Sequence, residues 1–158
     1  MKEKNKERYA MLKGIPKILS PELLKVLAEM GHGDRIVIAD GNFPSASIAR
    51  RQGSEVIRMD GHGIPEILDA ILEVFPLDKY TATPVVLMDL LDCDRGRVET
   101  PIWDEYKTIV KKYDERGDEC VSAIERFAFY DEAAKCYAVI ATGESAIYAN
   151  VIIQKGVI

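Results

Sequence analysis

At 158 residues the chain has the length of one domain and enough of it to bury a real core. A hydrophobic share of 47% beside 30% charged residues excludes a largely disordered chain, and a net charge of −5 argues against a nucleic-acid groove, which needs concentrated Lys and Arg. No apolar stretch approaches a membrane span, the N-terminus lacks a signal-peptide core, and three cysteines without CxxC spacing point away from a disulfide scaffold or zinc site and toward a reducing cytoplasm.

The first residues, MKEKNKER, are polar and mostly charged, and residues 1–11 read as an extension ahead of the folded part, 12–158. Ser20-Pro21-Glu22 is a helix start, with Leu23, Leu24, Leu27 and Met30 at helical spacing and Gly31 as the stop. Arg35 to Ala39 (RIVIA) lacks alternation, as expected of a strand buried on both faces. Glu55 to Met59 is a second, weaker strand. Ile64 to Phe75 is an amphipathic helix, and Pro84 to Met88 a third strand.

A loop from Asp92 to Pro101 precedes a helix from Ile102 to about Tyr113, and the charged segment Asp114 to Glu119 reads as a surface connection. Val121 to Arg126 is predicted as a strand, Ala128 to Lys135 as a short helix, and Tyr137 to Thr142 and Asn150 to Gln154 as two closing strands. The alternation indicates an α/β fold: a single layered α/β/α domain with a mixed, largely parallel sheet. No internal repeat or interior linker interrupts it.

Few residues here invite chemistry. Two histidines and scattered acids supply no metal-ligand cluster, and there is neither a P-loop nor a GxSxG. Gly61-His62-Gly63 follows a strand and opens a helix, but the third glycine of a dinucleotide fingerprint is replaced by Glu66, whose carboxylate would oppose a pyrophosphate. A tight strand-to-helix corner is the simpler account.

His32 stands between two glycines, which leave its imidazole uncovered and suited to proton exchange near neutrality. From spacing alone, a loop histidine of no consequence is the blander alternative. Asp40 closes the first strand, where α/β folds gather ligands, although an Asp-Gly turn bonding its own backbone explains it as simply. Asp60 repeats the arrangement after the second strand. Arg126 sits beside Phe127, Phe129 and Tyr130, whose rings could shield a guanidinium fork suited to paired hydroxyls. Tyr148 and Asn150 alternate, so both can point one way and hold a neutral polyol; a hairpin with a packed tyrosine is the alternative.

Taken in order, "LKGIPKILSPELLKVLAEMGHGD", "IVIADGNFP", "VIRMDGHGIPEILDAILEVFPLD", "TPIWDEY", "IERFAFYDEAAKCYAVIATGE" and "YANVIIQKGV" resemble the L-fucose mutarotase and D-ribose pyranase family, most closely its fucose branch. The resemblance runs from Leu12 onward and makes residues 12–158 a sugar mutarotase domain. It implies a cofactor-free cytoplasmic enzyme that interconverts the α and β anomers of a free aldose. It also implies a homo-oligomer, a ring-like decamer in bacterial members. By the same resemblance, His32 matches the catalytic proton donor, while Asp40, Arg126, and Tyr148 with Asn150 match the sugar contacts. Arg126 favours the fucose branch, since the ribose branch has histidine there. His62 departs from the family's pattern and receives no role.

The implied chemistry suits the inventory. Hemiacetal opening moves one proton off the anomeric hydroxyl and another onto the ring oxygen, which asks for acid–base groups and no metal. His32 is the principal acid/base and Tyr148 a second proton carrier, with Asp40, Arg126 and Asn150 orienting hydroxyls. Pyranose–furanose exchange of D-ribose, a non-catalytic monosaccharide-binding module and a nucleotide-binding regulator are the alternatives. Because His32 precedes the first strand and Asp40 follows it, an extended chain separates them by about 20 Å or more. The expectation is therefore a site at a subunit interface, with His32 from one protomer and Asp40 from its neighbour.

Overall fold

The computed structural model describes residues 12–158, so the charged extension at 1–11 lies outside the described residues. Six strands form one sheet: β1 (Arg35–Ala39), β2 (Glu55–Met59), β3 (Val85–Met88), β4 (Val121–Ile124), β5 (Ala138–Thr142) and β6 (Val151–Gln154), in the order β2-β5-β1-β6-β3-β4. Only β6 runs against its neighbours, β1 and β3, so the sheet is mixed and largely parallel, as expected. Five helices cover it: α1 (Pro21–Glu29), α2 (Ser45–Gln52), α3 (Ile64–Leu72), α4 (Pro101–Tyr113) and α5 (Arg126–Ala134).

The pleat sorts the strand residues into two cores. Ile36, Ile38, Val85, Leu87, Ile140, Val151 and Ile153 point to one face, under α1, α3 and α4. Val37, Ala39, Met88, Val139 and Ile152 point to the other, under α2 and α5. This two-sided burial is why β1 reads as a continuous apolar run. Among the described residues no helix is long and apolar enough to cross a membrane.

The structure departs from the sequence reading in four places. α2, SASIARRQ, has no side-chain cap and buries only Ser45, Ile48 and Ala49, so its helical signal is faint; Gly53 at φ 73° ends it. The fourth strand stops at Ile124 rather than Arg126, because the Glu125 carboxylate accepts the N–H groups of Phe127 and Ala128 and starts α5 at Arg126. β5 and β6 form no hairpin, since β1 lies between them. Residues 114–119 are not simply surface.

Asp114 is buried, and Arg116 grips its carboxylate with two hydrogen bonds, Nε at 3.0 Å and Nη2 at 2.8 Å. The same guanidinium donates to the carbonyls of Asp78 and Thr81, both at 2.8 Å. Arg116 thus ties α4 to the 78–81 loop and holds the Asp114 carboxyl below its usual range. Arg116→Ala should cost roughly 2–3 kcal/mol at pH 7, since it strands a buried carboxylate. A depressed carboxyl stabilises above its unfolded value of about 3.9 and loses that contribution as pH falls through the folded value. The gap between variant and wild type in urea unfolding should therefore narrow below about pH 4. An equal gap at pH 7 and pH 3 would assign the loss to packing and to the two carbonyl bonds rather than to the Asp114 carboxylate.

Candidate active site

β6 is antiparallel to β1 and β3, so its entry lies at the sheet edge where those strands end. That geometry gathers Asp40 after β1, Met88 at the end of β3, Arg126 after β4, and Tyr148 and Asn150 before β6. The four polar residues line one cavity of about 200 Å³, with Asn42, Phe43, Met88, Tyr130 and Ile147 completing it. It is smaller than the usual site for a drug-sized molecule and suits a compact polar ligand.

Asp40 and Asn150 fix one another. The Asp40 N–H donates to Asn150 Oδ1 at 2.7 Å, which leaves the Asn150 amide nitrogen facing only the weak acceptor Met88 Sδ, at 3.9 Å. The Asp40 carboxylate accepts from Asn42 N–H at 3.0 Å, the turn contact expected from Asp-Gly, and from Ala149 N–H at 3.3 Å. The turn contact is thus made by a residue that also lines the cavity. Burial pushes its carboxyl above the ordinary value, against the pull of the backbone N–H groups.

Tyr148 has a left-handed φ of 56°, rare for an aromatic residue. Trp103 Nε1–H donates to its carbonyl at 2.8 Å, Tyr106 Oη donates to the next carbonyl at 2.6 Å, and these anchors hold the strained turn. The Tyr148 hydroxyl accepts from Leu91 N–H at 3.3 Å and donates to Asp94 Oδ2 at 2.5 Å. Burial, then the Asp94 hydrogen bond, raise its pKa, and the resting phenol turns its hydrogen to Asp94. One acceptor lone pair remains for a ligand.

Arg126 is half-buried, as the aromatic shield implied. Its Nε donates to Tyr130 Oη at 3.0 Å, and its guanidinium lies 5.4 and 5.5 Å from the ring centroids of Tyr130 and Phe127. Phe43 packs edge-on against Tyr130, 5.5 Å away, and fixes the platform. No carboxylate claims Arg126 among the described residues.

His32 is not in this cavity. It lies beyond the opposite end of β1, where Gly33 N–H donates to the carbonyl of Lys155, just past β6. Its imidazole is about half exposed and meets the buried Asp78 carboxylate at 3.1 Å. The structure therefore brings four predicted residues together and leaves the fifth at the far edge of the sheet. Asp78 and Asp94 escaped the sequence reading because their partners lie 46 and 54 residues away, where no local spacing reaches.

The Gly61–Gly63 turn is a corner. Glu66 accepts from Gly63 N–H and meets His62 Nδ1 at 3.1 Å, occupying the start of α3. The corner presses so closely on Gly143 that a Cβ there would sit 1.9 Å from the Asp60 carbonyl oxygen. Among the described residues, no three acidic, cysteine or histidine side chains are grouped to hold a metal ion.

A family model described as the RbsD / FucU transport protein family matches residues 13–158. A fucose mutarotase of Bos taurus is 51% identical over 149 residues, covering 94% of this chain and 95% of that one. The crystal structure of FucU from Bifidobacterium longum superposes with a TM-score of 0.89 at 60% identity, over 92% of this chain and 99% of that one. A fucose mutarotase from Streptococcus pneumoniae, solved in complex with L-fucose, gives 0.83 at 44% identity, over 93% of this chain and 99% of that one.

Proposed function

Since the chain belongs to the RbsD / FucU family, we propose that it is an isomerase that interconverts the α and β anomers of free L-fucose by acid–base ring opening and closure. The observation that carries this reading is the convergence of Asp40, Arg126, Tyr148 and Asn150 on one small cavity. Its polar groups match a ring of hydroxyls. Phe43, Met88 and Ile147 offer apolar wall to a sugar that bears a methyl group in place of a hydroxymethyl.

In the reaction a proton leaves the anomeric hydroxyl, the bond from C1 to the ring oxygen breaks, and a proton reaches that oxygen. The aldehyde rotates and closes on its other face. Asp40 accepts from sugar hydroxyls, while Arg126 and the Asn150 amide donate to them. Tyr148 offers its free lone pair to a hydroxyl proton and can release its own to Asp94. His32 is the principal acid/base.

His32 reaches the sugar from a second copy of the chain. From Asp34 to Asp40 the backbone runs extended along β1, about 20 Å, and both anchors are fixed. The protein is thus a homo-oligomer with its site between protomers, a decamer by the family resemblance. Free Cys93, Cys120 and Cys136 suit a reducing cytoplasm.

The test is NMR saturation transfer between the anomeric protons of L-fucose, which should show exchange above the spontaneous rate. No enhancement with L-fucose or other free aldoses would leave a sugar-binding module. In the same assay, Arg126→Ala should mainly raise KM, because the arginine anchors hydroxyls. Tyr148→Phe deletes one oxygen and should lower kcat more than it raises KM. Equal effects of the two variants on both parameters would erase this division.

A further inference from the structure

One acid outside the cavity governs a group inside it. Asp94 ends a single 3₁₀ turn, Asp92–Asp94, between β3 and α4. Its backbone is held on both sides: its N–H donates to the Leu91 carbonyl at 2.9 Å, and its own carbonyl accepts from Arg97 and Val98 N–H at 3.0 and 2.9 Å. Beside it, Arg95 clasps the segment, with Nη2 on Asp89 Oδ2 at 2.8 Å and Nε on Asp92 Oδ1 at 3.2 Å. Asp89 N–H donates in turn to the Ile124 carbonyl at 2.8 Å, where β4 ends. Among the described residues the Asp94 carboxylate meets one side chain, the Tyr148 hydroxyl.

A phenol oxygen has one hydrogen and two lone pairs. The Tyr148 hydrogen goes to Asp94 Oδ2 at 2.5 Å, a short contact for a phenol and a carboxylate, and one lone pair takes Leu91 N–H at 3.3 Å. Toward the cavity Tyr148 can therefore only accept. Asn150 spends its oxygen on the Asp40 N–H, so its amide nitrogen can only donate, and Arg126 carries donors alone. Of the four predicted residues, Asp40 and Tyr148 are the two that can receive a sugar hydrogen.

We propose that Asp94 is a positioning residue that sets the hydrogen-bond polarity of the site. By holding the Tyr148 hydrogen outside the cavity it makes Tyr148 an acceptor, so the sugar must offer a hydroxyl hydrogen there and a group that only accepts is rejected. This rests on the cavity being the sugar site. The position concerned is C1, since Tyr148 is the second proton carrier of the reaction above. On ring opening the C1 hydroxyl proton passes to Tyr148 as the phenol proton passes to Asp94, and His32 protonates the ring oxygen. Closure returns each proton by the same route.

Fluorine can stand in for a hydroxyl but has no hydrogen to donate. Titrating the wild-type protein with L-fucose and with its analogues fluorinated at C1, C2, C3 or C4 gives a hydroxyl-over-fluorine affinity ratio at each position. Asp94→Ala frees the phenol hydrogen, which can then turn to fluorine. The ratio at a single position, C1, should fall about three- to tenfold, the contribution of one hydrogen bond, with the other three unchanged. Tyr148→Phe should lower the same ratio and no other. Unchanged ratios at all four positions in a folded Asp94→Ala protein would overturn the proposal. So would an equal drop at all four, because a merely structural segment loosens every contact alike. The ratios come from binding, so they stay readable if turnover is lost. Should Asp94→Ala fail to fold, Tyr148→Phe decides: ratios that survive it at every position mean that Tyr148 accepts nothing from the sugar. Wild-type protein that neither binds L-fucose nor exchanges its anomers would instead remove the reading of the cavity itself.

Discussion

His32→Gln should bring the exchange between L-fucose anomers down by about 10²–10⁴-fold, the range a positioned acid–base group supplies. Glutamine keeps a polar end at similar reach and can still face Asp78, so the 78–81 loop and the fold should survive. What is lost is an imidazole, which can both take and give a proton, where the amide does neither. Sugar binding should persist, since the cavity residues lie at the other end of the sheet. Saturation transfer reads the rate, and titration of sugar signals reads binding. A variant that retained most of the wild-type rate would move the chemistry to the Asp40–Tyr148 pair.

The second large effect is a gain. His32→Ala and Asp40→Ala should each be inactive, yet a mixture unfolded together and reassembled in equal amounts should regain roughly a quarter of wild-type activity. If each site draws His32 from one protomer and Asp40 from its neighbour, random mixing gives both native residues to about one site in four. The geometry behind the number is plain: β1 separates the two side chains, and the Asp78 and Asn150 hydrogen bonds keep either from swinging toward the other. Mixed oligomers verified by mass spectrometry that stayed inactive would place both residues in one chain's site.

The sequence made the sheet legible because its inner strands are apolar on both faces and its turns carry Gly, Pro and Asp. RIVIA and EVIRM were found to the residue. It did not reveal α2, whose eight residues include two arginines and two serines and bury little. Arg126 was found as a candidate but placed on a strand, because the helix start depends on Glu125 folding its carboxylate back onto two N–H groups. Tyr148 and Asn150 were paired for their alternation. In fact both precede β6, and Tyr148 is in a left-handed turn whose carbonyls are anchored by Trp103 and Tyr106, more than forty residues away. Local pattern reports what a segment buries. It is silent on which distant carboxylate a side chain will meet.

β6 also orders events in time. As the ribosome delivers the chain, β1, β2 and β5 can pair as one parallel block and β3 with β4 as another. No strand pairing joins the blocks until residues 151–154 slide between β1 and β3. Before that moment two unpaired edges face each other across an open seam, a form prone to sticking to other chains. The cavity does not yet exist either, because Tyr148 and Asn150 are placed by the strand that follows them. A nascent chain stopped before residue 151 is therefore a client for chaperones and has no partial catalyst to offer; sealing the seam makes the sheet and the catalyst in one step.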